Sequence, residues 1–265
     1  MKTYLLEEMT WPEIKAALEQ GIDTVVIYAA SIEQHGPALP EMTDTVLGYA
    51  GAADLAKRLG NALAAPVIRP GLSKHHMSFP GSVTLRPEVF KGVVEDYVAA
   101  YVHHGFRTVV LASSHGGNFR MMDELAAELA EKYPDVCIVS ACSLDELDET
   151  LAQMEIEEGL PAGTCGGHAC DWETSVMMSL DEQYVRRDKL QAGYIGALTG
   201  ELLERFFEQG VHSVSPIGVM GDPTKADAER GRRYFNRLQD VQEAAVRKHM
   251  REWQEKRRDS GEKEV

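Results

Sequence analysis

The sequence predicts an α/β fold: a parallel, or mixed, β-sheet sandwiched between helices in a single domain over residues 1–256, with a polar tail at 257–265. Three observations lead there. Short β-branched apolar runs alternate with longer amphipathic stretches. No internal repeat or Pro-, Gly- or Ser-rich linker divides the chain. A length of 265 residues suffices for one large core.

Thr24 to Tyr28 and Arg107 to Ala112 read as buried strands, and 65–68 and 136–140 are weaker strand candidates. The stretch 11–19 reads as a helix, with Thr10 as N-cap and Pro12 in its first turn. The stretches 44–59, 87–103 and 118–132 carry apolar residues at three- and four-residue spacing, as helices do. Further on, 143–159 reads as a solvated acidic helix or lid and 172–179 as a helix. A helix over 195–209 ends at Gly210, and a long amphipathic helix covers 226–256. The tail after it is expected to fray.

Forty-two acidic residues against 27 basic ones give a net charge of −15, which repels polyanions and argues against nucleic acid or an anionic membrane surface as partner. Four cysteines are too few for a disulfide scaffold, and the Cys165 to Cys170 spacing does not fit zinc, so they read as reduced thiols. The N-terminus lacks the apolar region of a signal peptide, and no apolar run is long enough to span a bilayer, which predicts a cytoplasmic protein.

Residues with ligand chemistry collect where strands should end, the place where open parallel sheets build their sites. After the first strand come Glu33 and His35, two apart and so on one side of an extended segment, with Asp44 returning after a Pro-bounded loop. His115, Gly116, Gly117 and Asn118 follow the strand ending at Ala112 and open a helix. A third Gly-rich turn holds His168, Asp171 and Glu173. Mixed imidazole and carboxylate donors without thiolates suit zinc, manganese or iron. One such histidine alone is more often structural; clusters at several strand exits favour a metal site. His103, His104 and His212 read as helix-end or loop residues, and the pairs Met121–Met122 and Met177–Met178 as core filler.

The segments 31–40 with 43–45, 79–85, Ser-His-Gly-Gly-Asn at 114–118, 167–175 and 218–223 together resemble the motif series of the creatininase (creatinine amidohydrolase) family, in order over roughly 9–235. The resemblance implies a creatininase-like fold, one or two divalent ions, a small-molecule substrate and a homo-oligomer, commonly a hexamer. It places Glu33, His35, Asp44 and His115 as metal ligands, with Asp44 bridging, and His168 as the catalytic histidine. Creatininase itself has a glutamate ligand where this chain has Gly117. Glu173 is the candidate replacement, and it also counts among the catalytic residues.

The implied reaction opens or cleaves a small cyclic amide or formamide through a metal-bound hydroxide, with His168 protonating the leaving group. Relatives with the His-Gly-Gly-Asn run have diverged. Some deformylate, some cleave peptides, and some open inositol-derived carbocyclic diketones by C–C cleavage, so the last is an alternative on the same centre. The loop 74–80 is expected to line the pocket, with His76 or Ser78 hydrogen-bonding substrate and Gly117, Asn118 and Trp172 completing the substrate-binding set. Two rivals differ in class. A non-catalytic metal-binding assembly protein would not need the spare proton carrier His168, and a hydrolase using Cys165 or Cys170 would have no basic partner except His168. Two divalent ions would bring the formal charge to about −11 and make the pocket locally cationic.

Overall fold

The computed structural model describes residues 2–196 and 199–259. Its helices and strands follow the order α1 (Trp11–Glu19), β1 (Thr24–Ala29), α2 (Thr43–Leu59), β2 (Ala62–Ala64), α3 (Pro87–His104), β3 (Thr108–Ser113), α4 (Phe119–Lys132), β4 (Cys137–Ser140), α5 (Leu144–Glu157), α6 (Asp171–Asp181), α7 (Glu201–Gln209) and α8 (Ala228–Asp259), joined by turns and short 3-10 segments. Helix α1 starts on the expected Thr10, whose N–H donates to Glu13 Oε2 at 2.7 Å in a capping box.

All strand pairs are parallel, in the order β2-β1-β3-β4. Every residue of β1 and β3 is buried, which explains their unbroken apolar runs. Val25, Ile27, Val109 and Leu111 pack on one face with Phe90 and Val94 of α3 and Leu125 of α4. Val26, Tyr28 and Val110 pack on the other with Leu55 of α2 and Val246 of α8. Each fully buried Leu, Val, Ile or Phe here contributes about 1.5–3 kcal/mol. From β1 the chain crosses through α2 to β2 on one side, and from β2 it returns through α3 to β3 on the other. The carboxyl ends of β1 and β3 therefore form the crevice where the strand order reverses.

The strand expected at 65–68 lies earlier, at Ala62–Ala64. Pro66 has no N–H to donate, so regular pairing stops before it. Ala65 and Ile68 still donate to Val26 O and Tyr28 O, at 2.8 and 3.0 Å, on either side of the gap. The helix expected from 195 begins at Glu201, because Gly200 takes a φ of 54° that no helix continues; positions 197–198 of that expectation lie outside the described residues. Helix α8 runs through Asp259, so 257–259 are helical rather than frayed, and Arg257 donates to Pro134 O at 3.1 Å. The rest of the expected tail lies outside the described residues. Helix α5 forms as anticipated, but its acidic side is not all solvated: buried Glu155 accepts from Gly163 N at 3.1 Å and Cys165 N at 2.5 Å, tying down the turn that leads to His168.

Helices α6 and α8 approach so closely that a Cβ on Gly231 would lie 1.9 Å from Ser175 O. That contact holds α6, and with it Glu173, against the body of the protein. Gly231→Ala should therefore lower unfolding free energy by about 1–3 kcal/mol in a denaturant titration; an unchanged midpoint and slope would show that the crossing is not a tight constraint.

Candidate metal centre

Beyond Ala29, segment 31–42 crosses the carboxyl edge of the sheet, Asp44 lies in the first turn of α2, and His115 stands two residues past the end of β3. His168 sits on the Gly-rich turn before α6, and Glu173 lies in the first turn of that helix. The structure brings Glu33, His35, Asp44, His115, His168 and Glu173 together, all buried, and adds His76 from the loop between β2 and α3. Three overlapping groups have ligand atoms within 4.8 Å of one another: Glu33, His76 and His168; His35, His168 and Glu173; and Glu33, His35 and Asp44.

Three of the imidazoles share one hydrogen-bonding pattern. His35 Nδ1 lies 3.0 Å from Glu33 O, His115 Nε2 3.3 Å from Leu72 O, and His168 Nε2 2.8 Å from Gln34 O. A main-chain carbonyl can only accept, so each outer nitrogen carries the hydrogen and donates it. The inner nitrogens then face carboxylates. His35 Nε2 is 3.2 Å from Asp44 Oδ1 and 3.7 Å from Glu173 Oε1. His115 Nδ1 is 3.1 Å from Glu33 Oε1 and 3.5 Å from Asp44 Oδ2, and His168 Nδ1 is 3.7 Å from Glu33 Oε1. Asp44 thus turns one oxygen to each of two histidines.

Carboxylate oxygens facing imidazole lone pairs at these distances repel unless a proton or a cation lies between them. Buried Glu33 Oε1, His35 Nε2 and Asp44 Oδ2 make no hydrogen bond, and among the described residues no Lys or Arg pairs with Glu33, Asp44 or Glu173. Outer N–H groups anchored on carbonyls, with inner nitrogens aimed at carboxylates, are what a divalent cation requires of its surroundings. The residues fit a metal. The outer oxygens are also secured: Ser31 Oγ donates to Glu33 Oε2 at 2.9 Å, and Ala169 N–H, in a turn with φ 50°, donates to Glu173 Oε2.

Without a cation, protons take its place. Burial disfavours charge on His35, yet Asp44 and Glu173 hold its pKa well above the ordinary value. Burial likewise opposes charge on His115, and Glu33 and Asp44 outweigh it, pushing the group up to about 9. Burial raises Asp44 to about 6 against the pull of His35. Burial and then the neighbouring His35 push His168 down to about 4, so it is neutral near pH 7.

The remaining expected residues are placed differently. Asn118 is fully buried; its Oδ1 accepts from Leu72 N at 2.9 Å and its Nδ2 donates to Ala30 O at 3.0 Å, which fastens the loop under His115. A Cβ on Gly117 would lie 2.5 Å from His115 Nε2, so glycine there makes room for the imidazole. Trp172 is buried in the wall of a cavity between α5, α6 and α8 that Glu173 also lines. Ser78 is exposed and lines a shallow cavity with His75, Met77 and Gly210; the structure does not bring it to the cluster. A second cleft, lined by Gln34, Glu41, Phe79, Pro80, Gln191 and Ile217, reaches the cluster at Gln34. Sequence reasoning missed Gln34, although its place between two ligand candidates was a signal. All four cysteines are free and buried, and burial pushes Cys165 up to about 12 and Cys170 well above its ordinary value, the reverse of an activated thiolate.

The Creatininase family profile, described as creatinine amidohydrolase, matches residues 7–246. The chain belongs to the creatininase family. A mycofactocin precursor peptide peptidase of Mycobacterium ulcerans (strain Agy99) is 33% identical over 241 residues, covering 87% of this chain and 83% of the relative. A 3-dehydro-scyllo-inosose hydrolase of Thermotoga maritima is 27% identical over 258 residues, covering 91% and 82%. A solved creatininase structure, "Creatininase Mn", superposes with a TM-score of 0.78 at 21% identity over 93% of this chain and 98% of its own. This creatininase-family chain is a hydrolase with an α/β fold, and its buried His/Glu/Asp cluster suits a divalent ion.

Because His35 and His115 hold protons that a cation must displace, metal binding at pH 7 should release about two protons, and affinity should rise with pH above neutrality, the His115 part of the rise ending at about 9. Calorimetric titrations in two buffers of different ionisation enthalpy measure the release; a value near zero contradicts the protonation argument. Asp44→Asn, which removes the carboxylate shared by both histidines, should weaken binding about a hundredfold or more in a competition assay.

Proposed function

We propose that the chain hydrolyses a C–N bond of an amide, a peptide or formamide being favoured, at a divalent metal centre held by Glu33, His35, Asp44, His115 and Glu173. The observation that carries this reading is the inward-facing Nδ1 of His168, a neutral base beside the ligand atoms. A closed structural metal site has no use for such a group. Zinc, manganese or iron suits the mixed donors. The M. ulcerans relative, a peptide peptidase, supports an acyclic amide, and the family resemblance adds a cytoplasmic homo-oligomer working on small substrates as one catalytic unit over 1–256.

A divalent ion bound here supplies Lewis acidity, polarising a carbonyl and acidifying a water. The chain's residues do the rest. Asp44, with an oxygen on each side, and Glu33 and Glu173, each fixed by an outer hydrogen bond, hold the charge in place. His168 takes the proton at Nδ1 and returns it to the departing nitrogen, while Gln34 O keeps its Nε2–H outward. Substrate reaches these groups through the cleft beside Gln34, Glu41 and Phe79. The burial of the whole cluster excludes bulk water and strengthens each charge interaction.

His168→Gln should lower kcat by about 10²–10⁴-fold while leaving metal content intact. A screen over formamides, lactams, short peptides and cyclic diketones, run with chelated and with zinc- or manganese-restored protein, identifies the bond. Activity on diketones alone, or activity indifferent to chelation in a metal-free sample, contradicts the proposal.

A further inference from the structure

His76 is the fourth imidazole of the cluster, and its hydrogen bonds run opposite to those of the other three. Its outer nitrogen, Nδ1, meets no carbonyl; it lies 2.9 Å from Gln34 Nε2. The orientation of that amide is fixed, because Gly36 N–H donates to Gln34 Oε1 at 2.9 Å and an N–H can donate only to the oxygen. Gln34 Nε2 therefore has two hydrogens to give, with His76 Nδ1 at 2.9 Å, His168 Nε2 at 2.9 Å and Gly218 O at 3.2 Å in reach.

His168 Nε2 already donates to Gln34 O at 2.8 Å, so it cannot also accept. The two amide hydrogens then go to His76 Nδ1 and Gly218 O. Giving one to His168 instead would set its lone pair against Gln34 O and leave either His76 or Gly218 without a donor. Neutral His76 thus carries its hydrogen on Nε2, the nitrogen 3.3 Å from Glu33 Oε1. A nitrogen that carries a hydrogen has no lone pair to offer a metal.

We propose that Gln34 is a positioning residue: it fixes the hydrogen of His76 on Nε2, keeps that nitrogen out of the metal-ligand set despite its proximity, and leaves His168 Nδ1 bare. This rests on the metal-centre reading above only for its consequence, not for the tautomer. His76 then offers an N–H to an oxygen of the substrate, and distance alone overstates the number of histidine ligands.

Long-range ¹H–¹⁵N correlation spectra of metal-free protein labelled on histidine read the tautomer with no ion present. The expected His76 signature is protonated Nε2 with bare Nδ1; the opposite signature overturns the proposal even if no variant folds. In Gln34→Glu the carboxylate can only accept, so His76 should invert to Nδ1–H and present Nε2 inward. The variant should bind cobalt(II) about tenfold more tightly and show an altered d–d absorption spectrum, as an added imidazole ligand requires. Wild-type tautomer and an unchanged cobalt spectrum in Gln34→Glu overturn the lock. Failure of the wild-type protein to bind any divalent ion sinks the metal-centre reading instead, and leaves the tautomer measurement standing.

Discussion

The enforced meeting of three carboxylates with three imidazole lone pairs, in a space with no Lys or Arg partner among the described residues, is the constraint on which the rest of the site depends. Burying an uncompensated carboxylate costs several kcal/mol, and the fold places Glu33, Asp44 and Glu173 side by side. The outer atoms of Glu33, Glu173 and the three histidines are fixed, while Asp44 turns both oxygens to histidines. Ser31 and Ala169 secure the glutamates, and carbonyls of Glu33, Leu72 and Gln34 secure the histidines. What is left facing inward is a set of negative and electron-rich atoms that a proton or a cation must neutralise.

The sheet explains why these groups can meet at all. Strand order β2-β1-β3-β4 puts β1 and β3 side by side, so the segments leaving both open into one crevice. The first brings Glu33, His35 and Asp44, and the second brings His115. Glu173 arrives on a separate helix, α6, held by the close α6–α8 crossing at Gly231. The loop carrying His76 is fixed from below, where Asn118 accepts from Leu72. Residues far from the chemistry therefore set its distances, and a shift of α6 would withdraw the Glu173 carboxylate without touching the other members of the cluster.

Much of this was legible in the residues. β1 and β3 announced themselves because strands buried on both faces are apolar without interruption, and the ligand clusters stood out by following them. The edge strand was harder: at 65–68 the β-branched residues are real, but Pro66 breaks the ladder, and pairing shifts to Ala62–Ala64 with no propensity signal of its own. Gly200 stopped a helix whose apolar spacing runs through it. At the site, residue type and order pointed to Glu33, His35, Asp44 and His115, and left Glu173 as one candidate beside Asp171 and His168. The roles of His76 and Asn118 could not be read that way, since both depend on which hydrogen-bond partner lies across the loop. An asparagine beside a glycine-rich turn looks like a ligand binder from sequence, and only its two main-chain partners show it to be a brace.

Anomalous X-ray diffraction from crystals grown with manganese would locate an ion among Glu33, His35, Asp44, His115 and Glu173. The expected result is a peak within reach of Asp44, His35 and His115, with His76 Nε2 outside the coordination sphere. Manganese bound elsewhere, or no peak among these residues at saturating concentration, would contradict it.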